Sequence, residues 1–137
     1  MKKKLIPFFI IVFMFACGQK QENVNPIDKT FESFLSKFNN NSIFQINRVK
    51  FPLSIIQTES ENFTEVHSKI ERKDYKIIDL TFDKADQKRE GYTQQIKLSK
   101  NKATIEIRGI ENGIMADYYF EKVYGKWTLV GWNDSST

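Results

Sequence analysis

The sequence predicts an α+β domain, with N-terminal helices packed on one face of a curved antiparallel sheet, preceded by a lipoprotein signal peptide. Three observations predict it. A charged and then apolar leader ends at the single cysteine, a phenylalanine stripe recurs at helical spacing over residues 27–38, and four β-rich runs separated by turn residues fill residues 92–132. Helices first and strands afterwards is the order of an α+β arrangement, in which the helices bury one face of the sheet.

Lys2, Lys3 and Lys4 form a charged n-region, and Leu5 to Ala16 is an unbroken apolar run. Charge followed by an apolar segment is the pattern of a secretory leader. As a helix the run would reach roughly 18 Å, against a hydrocarbon core of about 30 Å, so it is short for a membrane span. Met14-Phe15-Ala16-Cys17-Gly18 resembles a lipobox, with a small residue before the cysteine that is acylated. Residues 1–16 are therefore expected to be a signal peptide and Cys17 the lipidated first residue of the mature chain, anchored in the membrane of the cell envelope, with the outer membrane expected. Two or three acyl chains, at ~0.8 kcal/mol per buried CH₂, make such an anchor effectively permanent. The alternative for Cys17 is a free thiol. As the only cysteine, it leaves the mature domain without an internal disulfide. Gly18 to Asn25 is polar and aperiodic, and reads as a tether.

Processing alters the charge. The full chain has 21 Lys+Arg and 17 Asp+Glu, and removing three leader lysines leaves 21 − 3 = 18 against 17. A nucleic-acid binder needs a concentrated cationic surplus to displace counterions from phosphate, so nucleic acid is not an expected partner. Residues 26–137 are enough for one hydrophobic core and are read as one domain.

The first helix is predicted over Pro26 to Phe38, with Asn25 as N-cap, Pro26 at the first helical position and Asp28 near the positive end of the dipole. Ile27, Phe31, Phe34, Leu35 and Phe38 fall on one stripe, which suits a core; lining a ligand cavity is the alternative. Asn39-Asn40-Asn41 reads as a turn. Ser42-Ile43-Phe44-Gln45 matches a capping box and predicts a short second helix to about Asn47. Pro52 biases Phe51 away from helix, so residues 48–53 should lead into an edge rather than a central strand. Thr64 to Ile70 alternates as a strand, and Asp74 to Phe82 reads as a short helix or an irregular crossing.

Tyr92 to Leu98, Ala103 to Ile110, Ile114 to Tyr124 and Trp127 to Trp132 are β-rich runs and predict an antiparallel meander. In the third, Ile114, Ala116, Tyr118, Phe120 and Lys122 share a face opposite Met115, Asp117, Tyr119, Glu121 and Val123. Tyr118 and Phe120 are expected to face the helices.

These residues also carry a likeness. Phe31-x-x-Phe34-x-x-x-Phe38 followed by Phe44-Gln45-x-x-Arg48-Val49-x-Phe51-Pro52-Leu53 resembles the opening signature of small Bacteroidota lipoproteins described as domain of unknown function 4348. Ile70-x-x-Lys73-Asp74-Tyr75-Lys76 resembles its central segment, with Tyr75 where Trp is expected, and Tyr118-Tyr119-Phe120-Glu121-x-x-x-Gly125-Lys126-Trp127-x-Leu129 its closing hairpin. Asn41 stands where an acidic residue is expected. The likeness spans nearly all of the mature chain. It implies a cone-shaped nuclear transport factor 2-like, or cystatin-like, fold and no established activity, so function has to be argued from particular sites.

The inventory of reactive side chains is short. With Cys17 acylated and His67 the only histidine, neither a Cys-His pair nor a His-rich zinc site can be assembled, and no Gly-rich phosphate loop occurs, so no cofactor, metal site or catalytic residue is expected. His67 lies in a polar strand and reads as exposed. Asp79, Asp83, Asp117 and Glu121 are scattered and read as surface groups. Arg48, in the most motif-like block, could anchor an anion; the alternative is that Arg48 and Gln45 bond backbone carbonyls at the helix-to-strand junction. Tyr118, Phe120 and Trp127 complete the set of ligand or junction candidates. A non-catalytic binding or scaffold domain for an envelope protein or small molecule follows best. The alternatives are a cone-fold enzyme using a pocket carboxylate with Tyr118 or Tyr92, and an accessory or immunity-type lipoprotein.

Overall fold

The computed structural model describes residues 28–59, 61–83 and 91–137. The leader, Cys17, the tether and the proposed Asn25 cap with Pro26 and Ile27 lie outside these residues.

Two short helices come first, α1 at Phe31–Asn40 and α2 at Ser42–Asn47. The α1 start differs from the expected one. Thr30 is the N-cap, its hydroxyl accepting from the Ser33 N–H at 3.1 Å, and Asp28 lies ahead of the helix because its carboxylate is used by tertiary partners. The asparagine turn is also tighter than expected: Asn39 and Asn40 are helical, and Asn41 alone joins the helices, capping α2 by accepting from the Phe44 N–H at 2.9 Å. That replaces the Ser42 capping box, since a side-chain acceptor one residue earlier already meets the free N–H.

Six strands follow: β1 Val49–Glu59, β2 Thr64–Ile70, β3 Tyr92–Leu98, β4 Lys102–Gly109, β5 Met115–Val123 and β6 Lys126–Asp134. Between β2 and β3, Arg72–Asp74 makes a single 3₁₀ turn and residues 75–83 run without regular structure. The strands form one sheet in the order β2-β1-β6-β5-β4-β3. The meander β3-β4-β5-β6 is antiparallel, but β6 pairs β1 in parallel.

Pro52 therefore sits in an interior strand, contrary to expectation. The ladder shows why this is tolerated. Val49 pairs Leu129 and the next β1 partner is Ser54 with Gly131, so the register slips across residues 50–53, while the β2 ladder begins only at Leu53. No rung requires the missing proline N–H. Gly131 meets β1 closely: a Cβ there would lie 2.9 Å from the Ser54 carbonyl oxygen, so glycine lets the two strands approach.

The concave face of the sheet receives α1. Phe31, Phe34 and Phe38 each meet Phe120 edge-on, at centroid distances of 5.4, 5.7 and 5.5 Å, and Phe31 meets Trp127 at 5.1 Å. Edge-to-face packing sets the positive ring edge on the negative ring face. Leu53, Ala103, Ile105 and Leu129 fill the sheet side, and Tyr75 and Leu80 from the irregular segment close the flank. On the convex face, cross-strand ion pairs link Lys97 to Glu106 and Arg108 to Asp117, each at 2.7 Å.

Candidate functional site

Two places gather the sequence-predicted residues: a buried junction under the helices and the open end of the concave face.

At the junction, Arg48 is 3% exposed and its guanidinium grips Asp28 in a fork, Nη1 to Oδ2 at 2.9 Å and Nη2 to Oδ1 at 3.2 Å. The same Oδ2 accepts the Trp127 backbone N–H at 2.7 Å, and Nη1 also reaches the Trp127 carbonyl at 3.4 Å. The guanidinium carbon stands 4.8 Å from the centre of the Phe44 ring, and the Arg48 carbonyl accepts from the Leu129 N–H at 2.8 Å. Arg48 is thus occupied inside the fold by a carboxylate and a carbonyl, an arrangement that matches the planar fork of guanidinium. The anion-anchor alternative meets a side chain that is buried and already engaged by these partners.

Gln45 is fully buried and joins three segments. Its amide nitrogen donates to the Phe38 and Ile78 carbonyls, both at 2.8 Å. Its carbonyl oxygen accepts from the Tyr75 hydroxyl and the Ile78 N–H, both at 2.9 Å. Both hydrogens and both lone pairs of this amide are thereby used in a dry setting. Burial pushes the Tyr75 hydroxyl well above the ordinary tyrosine range, which keeps it a donor.

Trp127 is 3% exposed, packed on Phe31, with the Lys122 ammonium 5.3 Å from its ring centre. Its Nε1–H has no hydrogen-bond partner among the described residues. Phe120 lies at the centre of the phenylalanine cluster. Both are core residues. Of the helical stripe, with its alternative as a cavity lining, Phe31, Phe34 and Phe38 pack against Phe120.

Tyr118 is placed elsewhere. It shares the Phe120 face but lies further along β5, opposite Trp132 with ring centroids 5.9 Å apart. Ala116, one step further on that face, pairs Asp134. Two strands away, Tyr92 at the start of β3 meets Phe82 of the irregular segment at a centroid distance of 5.5 Å. Tyr118 and Trp132 are half-buried, as are Tyr92 and Phe82, and Ile55 floors the site beside Trp132. Burial, the Asp134 charge and Tyr92 push the Tyr118 hydroxyl upward, so it stays protonated and able to donate. Phe120 fixes α1 at one end of the concave face, and an aromatic shelf with one carboxylate occupies the other.

Sequence reasoning missed Asp134 and Trp132 as partners of Tyr118. The signal was obscured by a bulge: Tyr119 pairs Gly131 and Phe120 pairs Leu129, so Val130 is passed over and Leu129 and Trp132 end on one face. His67 is exposed and stands 3.7 Å from Glu65. Asp117 and Glu121 are paired with Arg108 and Lys102 on the outside. Among the described residues, no three His, Cys, Asp or Glu side chains gather as a metal site.

This helix-and-sheet geometry is shared. A family model matches residues 29–135. The chain belongs to that family. It has the nuclear transport factor 2-like, cystatin-like fold of Bacteroides proteins of unknown function, consistent with the resemblance to domain of unknown function 4348. An NTF2-like protein from Bacteroides fragilis is 19% identical, with a TM-score of 0.58 over 82% of this chain and 49% of that one, so the chain spans about half the length of that relative. A cystatin-like protein from Bacteroides caccae is 26% identical, with a TM-score of 0.56 over 79% of each chain. A protein from Bacteroides uniformis is 24% identical, with a TM-score of 0.53 over 76% of this chain and 75% of that one. No curated protein matches the chain.

Proposed function

We propose that this member of the family is a non-catalytic binding module, held at the cell envelope by a lipid on Cys17, with the aromatic end of the concave face as its ligand seat. The carrying observation is the division of that face: α1 fills one end, while Tyr118, Trp132, Tyr92 and Phe82 stay half-buried at the other with no described helix packed on them. A few polar groups beside an apolar concave lining is the usual composition of a small-molecule site. Rings on the floor, with the Asp134 carboxylate and Tyr118 hydroxyl at the side, suit a flat apolar molecule carrying an N–H or O–H donor.

N-phenyl-1-naphthylamine has that chemistry and serves as a probe. It should bind the mature chain, and Trp132→Ala should weaken it by about tenfold, the loss of one stacking surface. Undiminished binding to Trp132→Ala and Tyr118→Ala, with both variants folded by circular dichroism, would remove this seat. The anchor is tested separately: Cys17→Ser should abolish palmitate labelling and shift the protein from the membrane fraction, or leave unprocessed precursor. Continued labelling would refute it.

One observation favours a second reading. The ladder pairs Tyr118 with Trp132 and Ala116 with Asp134, so the Tyr118 hydroxyl and the Asp134 carboxylate share a face, which is the carboxylate-with-tyrosine combination that the enzyme alternative needs.

A further inference from the structure

We propose that the end of the domain where the tether enters is a membrane-docking face for anionic lipid headgroups, so that the anchor and the surface act together. This rests on the lipid-anchor reading of Cys17.

The sheet register places the relevant groups. The β5–β6 turn carries Tyr124, 95% exposed, with Val123 also exposed. Tyr124 has φ 48, a backbone conformation that a bulky side chain adopts at some cost, so the turn holds the ring outward against local preference. The β3–β4 turn lies alongside, because the Lys122 N–H donates to the Asn101 carbonyl at 2.8 Å, and it adds Lys100 with the exposed Leu98. Lys102, Lys122 and Lys126 flank these tips, with Lys102 beside Glu121 at 3.4 Å. The chain enters here as well, since Asp28 is bonded to the backbone of Trp127, three residues from Tyr124.

Among the described residues, the turns at the opposite end carry mainly carboxylates. The β1–β2 turn bears Glu59, Glu61 and Glu65 around the exposed Phe63, the β4–β5 turn bears Glu111, and β6 ends at Asp134. Both ends show an aromatic tip, so apolar exposure does not choose between them. Charge does: an anionic surface attracts the lysine end and repels the glutamate end, with each lysine near the surface contributing roughly fivefold in affinity. A tyrosine among lysines suits the headgroup layer, where a ring with a polar tip is favoured.

The chain ahead of the domain fits this arrangement. Residues 17–27 can span at most about 40 Å at ~3.5 Å per residue, and this keeps the lysine end within reach of the bilayer carrying Cys17. The docked domain directs Tyr118, Trp132 and Asp134 away from the lipid.

Lysine acylation of the mature, full-length chain on vesicles, read by mass spectrometry, tests the orientation. On phosphatidylglycerol-containing vesicles Lys100, Lys122 and Lys126 should react roughly threefold or more slowly than on pure phosphatidylcholine vesicles, while carbodiimide coupling of Glu59, Glu61 and Glu111 at the opposite end keeps its rate. Tyr124→Ser should reduce that protection. Equal lysine rates on both vesicles, or uniform slowing that includes Glu59, Glu61 and Glu111, would overturn docking. The anchor reading is scored independently by the intact mass at Cys17. If no acyl group is present, coupling Cys17 to a maleimide lipid supplies the tether, and the same contrast in rates decides the docking face.

Discussion

Arg48→Ala is expected to lower unfolding free energy by about 3–5 kcal/mol, because it leaves the Asp28 carboxylate buried without its cation. Domains of this size have only about 5–15 kcal/mol in total, so the variant should melt far below the parent or fail to accumulate. The side chains of Arg48 and Asp28 are 4% and 7% exposed, so water cannot replace the lost partner without opening the junction. Solvent screening, which erodes exposed ion pairs, has little purchase at this depth. The double variant Asp28→Asn/Arg48→Met removes both charges together and should recover much of the loss. Urea unfolding of Asp28→Asn, Arg48→Met and the double variant makes the cycle. A loss below about 1 kcal/mol in Arg48→Ala would show that the fork does not carry the junction.

Gln45→Leu should cost about 4 kcal/mol although it keeps the side-chain volume. The substitution strands the carbonyls of Phe38 and Ile78, the Ile78 N–H and the Tyr75 hydroxyl at once. Each buried polar group left unpaired costs about 1–3 kcal/mol, and relaxation of the irregular segment recovers part of that. The expected signature is local: amide exchange at Ile78 should accelerate more than exchange in β4 and β5, because residues 75–83 have no regular ladder to hold them. Unchanged exchange at Ile78, together with near-parental stability, would contradict the hub.

These two residues also show what the sequence makes legible. The Phe44-Gln45-x-x-Arg48 block marks a junction, because two polar residues at helical spacing among phenylalanines call for internal partners. It does not name them. Asp28 is 20 positions away from Arg48 and Ile78 is 33 from Gln45, and no local pattern marks either as a partner. The α1 stripe and the four β runs are legible because burial on one face imposes a period of 3.6 or 2. The parallel β1–β6 pairing is not, since it joins the first strand to the last and nothing local encodes it. Pro52 misleads for the same reason: its cost depends on whether a neighbouring rung asks for its N–H, and the register slip over residues 50–53 removes the demand. At the candidate site Tyr118 is legible by alternation, but Trp132 and Asp134 join it only because the bulge at Val130 resets the parity of β6.

The fork of Arg48 on Asp28 also decides how the domain would bear a mechanical load. A pull on the chain ahead of residue 28 does not arrive first at the end of α1. It arrives at a carboxylate bonded both to Arg48, at the start of β1, and to the backbone of Trp127, at the start of β6. Those strands run side by side in the same direction. Gripped at the same end, they take up tension together and pass it lengthwise to β2 and β5 through the antiparallel rungs on either side.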